Sequence, residues 1–300
     1  MMQNSETIID LPYEPGFDWP SMLSFIAPRV IPGVESIQDN HYQRTFRLND
    51  SRGWFKVTDS PQRNSLHLKV YFEEGRQSPE QIERRVRSIF DLDTDMGPIL
   101  QRLSKDPLLS PAVSAHSGIR LPGAWDPFEF TVRAILGQQI SVKAATTLAG
   151  RVAALCGPEC GGEYPEALMT FFPTAKEITQ ADLSGIGITS KRQATIRGLA
   201  SNIVTEKISL SAEQGLKAFV DSMCELPGIG PWTAHYVAMR ALKMADAFPD
   251  SDLGVRKALQ ENGKMPTAKQ AIERAETWRP WRAYATLFLW KGLEFVREEE

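Results

Sequence analysis

Cysteine is scarce in this 300-residue chain, which carries only Cys156, Cys160 and Cys224. An odd, irregularly spaced set builds no disulfide framework and fits a reducing compartment. Histidine is sparse too, four residues with none beside Cys156 or Cys160, so those thiols read as small buried side chains rather than zinc ligands. No apolar run is long enough to cross a bilayer. The opening residues, MMQNSETIIDLPYEP, lack the basic-then-apolar order of a secretory signal, which predicts a cytoplasmic location. An excess of positive charge is also missing. Lys and Arg number 34 against 37 Asp and Glu, a net charge of −3. That balance weighs mildly against nucleic acid as a partner. It does not exclude it, because backbone amides at helix starts bind phosphate without adding net charge.

What is present is an ordinary globular composition, 42% hydrophobic and 24% charged, in a chain long enough for two or three domains. The first third carries strand signals. Tyr42–Leu48, Gly53–Thr58 and Ser65–Phe72 are rich in β-branched and aromatic residues and are separated by turn clusters, which predicts an antiparallel meander. A helix is expected from Pro79, with Ile82, Val86 and Ile89 on the face toward the sheet. From about Met96 the strand signals stop. Helices are expected over Phe130–Leu136 and Val142–Leu155, separated by Gly137-Gln138-Gln139-Ile140-Ser141. Another should open at Ser211 with Gln214 as its capping box. The last should run from Trp281 with Tyr284, Ala285, Phe288 and Leu289 on one stripe. LSGIG at Leu183–Gly187 echoes LPGIG at Leu226–Gly230, 43 residues later, as two hairpins of one type would.

The most informative stretch is Leu226-Pro227-Gly228-Ile229-Gly230-Pro231-Trp232-Thr233-Ala234. Gly228 and Gly230 let the backbone turn tightly and approach a ligand closely. Pro231 suits the first turn of a following helix. Free amides there, with the positive end of the helix dipole behind them, make a phosphate site. The stretch reads as a helix-hairpin-helix that grips a nucleic-acid backbone without reading its sequence. The competing reading is a tight interhelical turn whose glycines serve packing alone.

LPGIGPWTAHYVAMRAL, followed by FPDSDLGVRKAL with Asp252 lying 22 positions after Gly230, resembles the signature of the helix-hairpin-helix/Gly-Pro-Asp glycosylase superfamily, and more narrowly its bacterial DNA-3-methyladenine glycosylase II branch. FDWPSMLSFIAPRV, RLPGAWDPFEFTVRAILGQQIS and WRPWRAYATLFLW extend the likeness along nearly the whole chain. The fold it implies is α+β, mostly α. An N-terminal α/β domain with an antiparallel sheet (1–102) would precede a helical domain carrying the hairpin (127–244). A second helical domain, from 103–126 and 245–300, would complete the active cleft.

The resemblance places the catalytic aspartate on Asp252, which could also be a plain helix N-cap before LGVRKAL. It places the base pocket on Phe25, Trp232, Tyr236 and Trp290, with Gln138 beside it, and the duplex wedge on Gln139, where relatives carry an apolar side chain. On a helical wheel Trp290 lies about 180° from Trp281, opposite the apolar stripe. DNA-backbone contact is assigned to Gly228, Gly230, Thr233 and Ala234. No cofactor is implied, but a structural monovalent cation on the carbonyls of Cys224, Leu226 and Gly228 is.

Strand-cutting members carry lysine where this chain has Trp232, and iron–sulfur members need four C-terminal cysteines, absent after Cys224. No cysteine-rich alkyl-transfer module is expected either. The implied function is a monofunctional, monomeric, nucleoid-associated glycosylase that flips alkylated bases out of duplex DNA and hydrolyses the N-glycosidic bond. The alternatives are a glycosylase for oxidised or deaminated bases, and a non-catalytic helix-hairpin-helix DNA-binding protein.

Overall fold

A computed structural model describes residues 5–75 and 78–298. Five strands form one antiparallel sheet in the order β1-β5-β4-β3-β2: β1 (Ser5–Pro12), β2 (Glu35–Gln38), β3 (His41–Leu48), β4 (Ser51–Ser60) and β5 (Ser65–Glu74). The expected meander is β3-β4-β5. The two edge strands were not anticipated: β1 ends in a proline and β2 spans four residues, too little pattern for a period-2 signal. Phe55 and Val57 of β4 alternate with half-exposed neighbours and, with Leu66, Leu68 and Val70 of β5, cover one face. Helices α1 (Trp19–Ile26) and α2 (Pro79–Phe90) seal that face through Trp19, Met22, Ile82, Val86 and Ile89.

The rest is helical: α3 (Met96–Leu103), α4 (Ser110–Ala115), α5 (Pro127–Leu136), α6 (Val142–Cys156), α7 (Ala175–Gln180), α8 (Ser190–Val204), α9 (Leu216–Cys224), α10 (Pro231–Arg240), α11 (Leu253–Ala258), α12 (Ala268–Ala275) and α13 (Arg282–Glu298). The chain is thus α+β and mostly α. Among the described residues, no helix is long and apolar enough to cross a membrane.

Apolar packing sorts into two clusters. One is the sheet core, which also takes in Trp125, and the other joins Ile31 and Val34 to residues spread from Met96 to Leu289, so both helical segments share it. Ser211 departs from expectation. It caps only a 3-10 turn, Ala212–Gln214, and Gly215 at φ +80° then restarts the chain as α9. Gln214 turns its amide onto the Ser209 and Ser211 carbonyls instead of completing a capping box.

A buried polar network ties the sheet to the helices beneath the cleft described next. Arg44 of β3 pairs with Glu129 of α5 at 2.7 Å and with Glu35 of β2 at 3.3 Å, and the Tyr42 hydroxyl donates to Glu35 at 2.6 Å. Removing one partner of such a buried set typically costs about 3–5 kcal/mol, because a charge is left uncompensated. This network therefore fixes how the sheet sits against α5.

Candidate active site

Two helical hairpins stand side by side, α7–α8 and α9–α10. In each, a leucine and an isoleucine are buried and the two glycines exposed: Leu183, Ile186, Gly185 and Gly187 in the first, Leu226, Ile229, Gly228 and Gly230 in the second. The LSGIG/LPGIG echo is therefore structural. Gly228 has φ +91°, and a Cβ there would lie 2.1 Å from Thr195 Oγ1 of α8, so only glycine lets the hairpins pack.

The helix starts differ. Thr189 caps α8 with its side chain, whereas no side chain caps α10 behind Gly230. The amides of Trp232 and Thr233 thus head a ten-residue helix with its N-terminal dipole uncapped. Ala234 is different: its N–H already donates to Gly230 O at 3.1 Å, which takes it out of the phosphate-binding set.

Directly behind that hairpin lies the expected aspartate. Asp252 is the N-cap of α11, and its Oδ1 accepts from the Val255 amide at 3.0 Å. Trp290 Nε1 donates to the same oxygen at 3.0 Å, and Trp232 Nε1 donates to Oδ2 at 3.2 Å. The capping role and the cleft position coexist. Three donors converge on an acceptor-only group, which locks its rotamer and aims it.

Asp252 borders a cleft of about 760 Å³ that Phe25, Trp232, Tyr236 and Trp290 also line. The rings are ordered. Trp232 and Tyr236 stack at 5.3 Å with planes 11° apart, Phe25 and Trp290 at 6.2 Å with planes 20° apart, and Trp290 meets Tyr236 edge-on at 6.4 Å. An aromatic cleft beside a fixed carboxylate suits a flat, electron-poor or cationic ring.

Comparison with known proteins accords with this geometry. Residues 8–126 match the AlkA N-terminal domain, and residues 132–283 match the HhH-GPD superfamily of base excision DNA repair proteins. The chain belongs to that superfamily. The DNA-3-methyladenine glycosylase 2 of Escherichia coli is 32% identical over 93% of this chain and 95% of its own length. A probable bifunctional transcriptional activator/DNA repair enzyme AlkA of Mycobacterium tuberculosis is 35% identical over 95% of this chain, which spans 56% of that relative's length. Among solved structures, the 3-methyladenine DNA-glycosylase of Archaeoglobus fulgidus superposes with a TM-score of 0.80, covering 94% of this chain and 97% of its own at 22% identity. That last likeness speaks for the fold.

In this HhH-GPD chain the loop 137–141 is pinned from both hairpins. The Gln138 amide donates to Gly228 O and to Thr233 Oγ1, both at 3.0 Å, while Arg192 of α8 donates to Gln138 O at 2.7 Å. Gln138 accordingly does not line the cleft; its amide is committed to the hairpin, where one acceptor is the hydroxyl of the buried Thr233. Gln139 is exposed at φ +60°, a left-handed conformation costing about 1–2 kcal/mol in a non-glycine residue. The pinned neighbours hold it there. Ile140, 38% exposed, borders the cleft beside it.

Gly254 and Arg240 were not singled out from the HhH-GPD pattern. A Cβ on Gly254 would stand 2.9 Å from Trp290 Cδ1, so this glycine admits the indole to Asp252. Arg240 borders the same cleft from the end of α10. Both lie within the quoted strings LPGIGPWTAHYVAMRAL and FPDSDLGVRKAL, but only the folded chain shows what each meets beside Asp252 and its rings.

Proposed function

We propose that the chain is a monofunctional N-glycosylase that excises alkylated purines of the 3-methyladenine type from duplex DNA. It works as a monomer, since one chain supplies the whole cleft, and it resides with the nucleoid as its substrate does. The observation that carries the reading is the Asp252 carboxylate, held by Trp232 and Trp290 inside an aromatic cleft against the uncapped end of the hairpin. The names of the Escherichia coli and Mycobacterium tuberculosis relatives point to the same chemistry.

The hairpin grips the strand through Gly228, Gly230 and the amides of Trp232 and Thr233. Gln139, projecting from its pinned loop, fills the gap that the extruded nucleotide leaves. A damaged, weakly paired base costs least to extrude. In the cleft its cationic ring meets electron-rich faces, each worth roughly 0.5–2 kcal/mol. The C1′–N bond then breaks with its electron pair leaving on the base. Asp252 stabilises the oxocarbenium-like sugar and orients the water whose oxygen bonds C1′ and whose proton departs.

Among the described residues lining the cleft none is a lysine, and Trp232 has no amine, so no Schiff base forms and the product is an intact abasic site. The hairpin carbonyls also suit a monovalent cation. Leu226 O accepts from the Ile229 amide and Gly228 O from Gln138, which leaves each a second lone pair, and Cys224 O would be the third ligand. Such an ion would be held by these carbonyls and would supply positive charge at the hairpin for a DNA backbone.

Incubation with alkylated duplex DNA tests the reading. It requires release of free 3-methyladenine, alkali-labile abasic sites and no borohydride-trapped adduct. Tight binding without release would support a non-catalytic scaffold, and release only from oxidised or deaminated DNA would support a different lesion class.

A further inference from the structure

The α7–α8 hairpin repeats the form of the DNA-gripping hairpin without its open helix start. Thr189 Oγ1 accepts from the Arg192 amide and caps α8, whereas no side chain caps α10 behind Gly230. What the α7–α8 hairpin holds instead is protein. Arg192, in the first turn of α8, donates from Nη2 to Gln138 O at 2.7 Å. Three residues on, Thr195 Oγ1 lies 3.1 Å from Pro227 O, between α9 and α10. Arg151 of α6 donates from Nη1 to Ile186 O at 3.1 Å. Because α6 starts directly after the loop 137–141, the hairpin is tied both to that loop and to the helix leaving it.

Gln138 closes the triangle. Its Nε2 lies 3.0 Å from Gly228 O and 3.0 Å from Thr233 Oγ1, and Thr233 is in the uncapped first turn of α10. One side chain thus joins the strand grip to the loop whose next residue, Gln139, sits at φ +60°. Such a conformation in a non-glycine residue persists only where its surroundings over-determine it. Here the bonds that fix it come from α8 on one side and α10 on the other.

We propose that Gln138 and Arg192 are positioning residues that couple the strand grip to the wedge. The α7–α8 hairpin acts as a brace, so that a strand seated on Gly228 and Gly230 meets Gln139 already aimed at the gap. Neither Gln138 nor Arg192 touches the flipped base. The inference rests on the glycosylase reading and deepens it by giving the LSGIG hairpin a task.

A double-mutant cycle on two substrates tests the coupling. Single-turnover release of 3-methyladenine is measured from fully paired duplex and from duplex whose lesion faces a mismatch. The proteins are the full chain, Gln138→Ala, Gln139→Ala and the double variant, and their affinity for undamaged duplex is measured alongside. Gln138→Ala is expected to slow excision from paired DNA about fivefold or more, the worth of a lost hydrogen bond. The loss should be smaller on mispaired DNA, where the base costs less to extrude, with affinity for undamaged duplex unchanged. In the Gln139→Ala protein the same change should add nothing, because the residue it aims is gone. Arg192→Met should follow Gln138→Ala, and Arg192→Lys, which keeps a donor, should recover part of the rate.

Additive losses in the double variant overturn the inference, since Gln138 then acts without Gln139. A loss of affinity for undamaged duplex with a shallower salt dependence in Arg192→Met also overturns it, by making Arg192 a phosphate contact. Should a variant fold poorly, the ratio of paired to mispaired rates within one preparation still decides, because it does not depend on the folded fraction. An unchanged ratio in Gln138→Ala overturns the coupling and leaves the glycosylase reading standing. Release of no base by the unmodified chain overturns both.

Discussion

Trp290 Nε1 stands 3.0 Å from Asp252 Oδ1, a hydrogen bond between positions 38 residues apart, and Gly254 is what lets the indole in. A methyl group at position 254 would meet the rigid ring at 2.9–3.0 Å and Asp252 Oδ1 at 3.1 Å. Gly254→Ala is therefore expected to slow base release about tenfold or more by displacing Trp290. Its melting temperature is expected to change little, because the helix propensity gained, about 1 kcal/mol, offsets the local clash. Single-turnover excision beside a thermal melt checks both halves, and full activity would contradict the role given to this contact.

The two hairpins make a paired prediction. At Gly230 an added Cβ meets nothing within 4 Å, so Gly230→Ala leaves the free protein undisturbed. Any loss of DNA affinity must then report close approach of the strand. About tenfold weaker binding is expected, equivalent to about 1.4 kcal/mol. Gly187→Ala is the contrast. There φ is +87° and the Cβ would press on Arg151 Nη1 at 2.8 Å, so stability falls while DNA affinity holds. Equilibrium binding and melting of the two variants separate these outcomes; equal affinity losses would contradict the asymmetry between the capped and uncapped helix starts.

Gln139 holds a left-handed backbone at an exposed loop tip. If it plugs the duplex, Gln139→Ala slows excision from fully paired DNA about tenfold and slows it less where the lesion faces a mismatch. Gln139→Leu, a better apolar plug, is expected to restore or exceed the original rate. Equal effects on paired and mispaired substrates would remove the wedge role.

Acid sensitivity follows from His235. Its Nδ1 accepts from the Phe248 amide at 3.2 Å, which requires that nitrogen to be unprotonated. Burial holds its pKa below the usual 6.5, so the unfolded chain takes up a proton first. Stability is complete above about pH 6.5 and declines as pH falls through that value toward the folded-state pKa. Buried His41 adds a loss of the same sign. Glu35, which burial would raise but which Arg133 and Arg44 hold below 4.5, contributes only at more acid pH. Thermal melts from about pH 7.5 to 5 are expected to show a falling midpoint. His235→Gln, which keeps an acceptor for Phe248, should flatten the slope, and an unchanged slope would exclude His235 as a source.

What could be read before folding was what sits in short local strings. The glycines and proline of LPGIGPW are turn and helix-start residues in their own right, and Asp252 before a helical pattern is a cap by any reading. Trp290 was half legible, since its place opposite the apolar stripe required a partner without naming it. Gln138 shows the limit. An amide on that loop can reach the cleft or the hairpin, and only the packed positions of Gly228 and Thr233 decide. Gly254 and Arg240 were illegible for the same reason, because a methyl-sized gap beside Trp290 and a place on the cleft wall are properties of segments brought together from afar. Gly215 defeated the capping box at Ser211 because one residue at φ +80° outweighs a favourable three-residue spacing.

The account stands or falls on the carboxylate at position 252. Asp252→Asn keeps an N-cap oxygen for the Val255 amide, so folding and DNA affinity are expected to survive. Single-turnover release of 3-methyladenine from alkylated duplex DNA is expected to fall by about a hundredfold or more, the usual loss when a positioned charge at a developing transition state is removed. Release at the unmodified rate by a folded, DNA-binding Asp252→Asn protein would contradict the account.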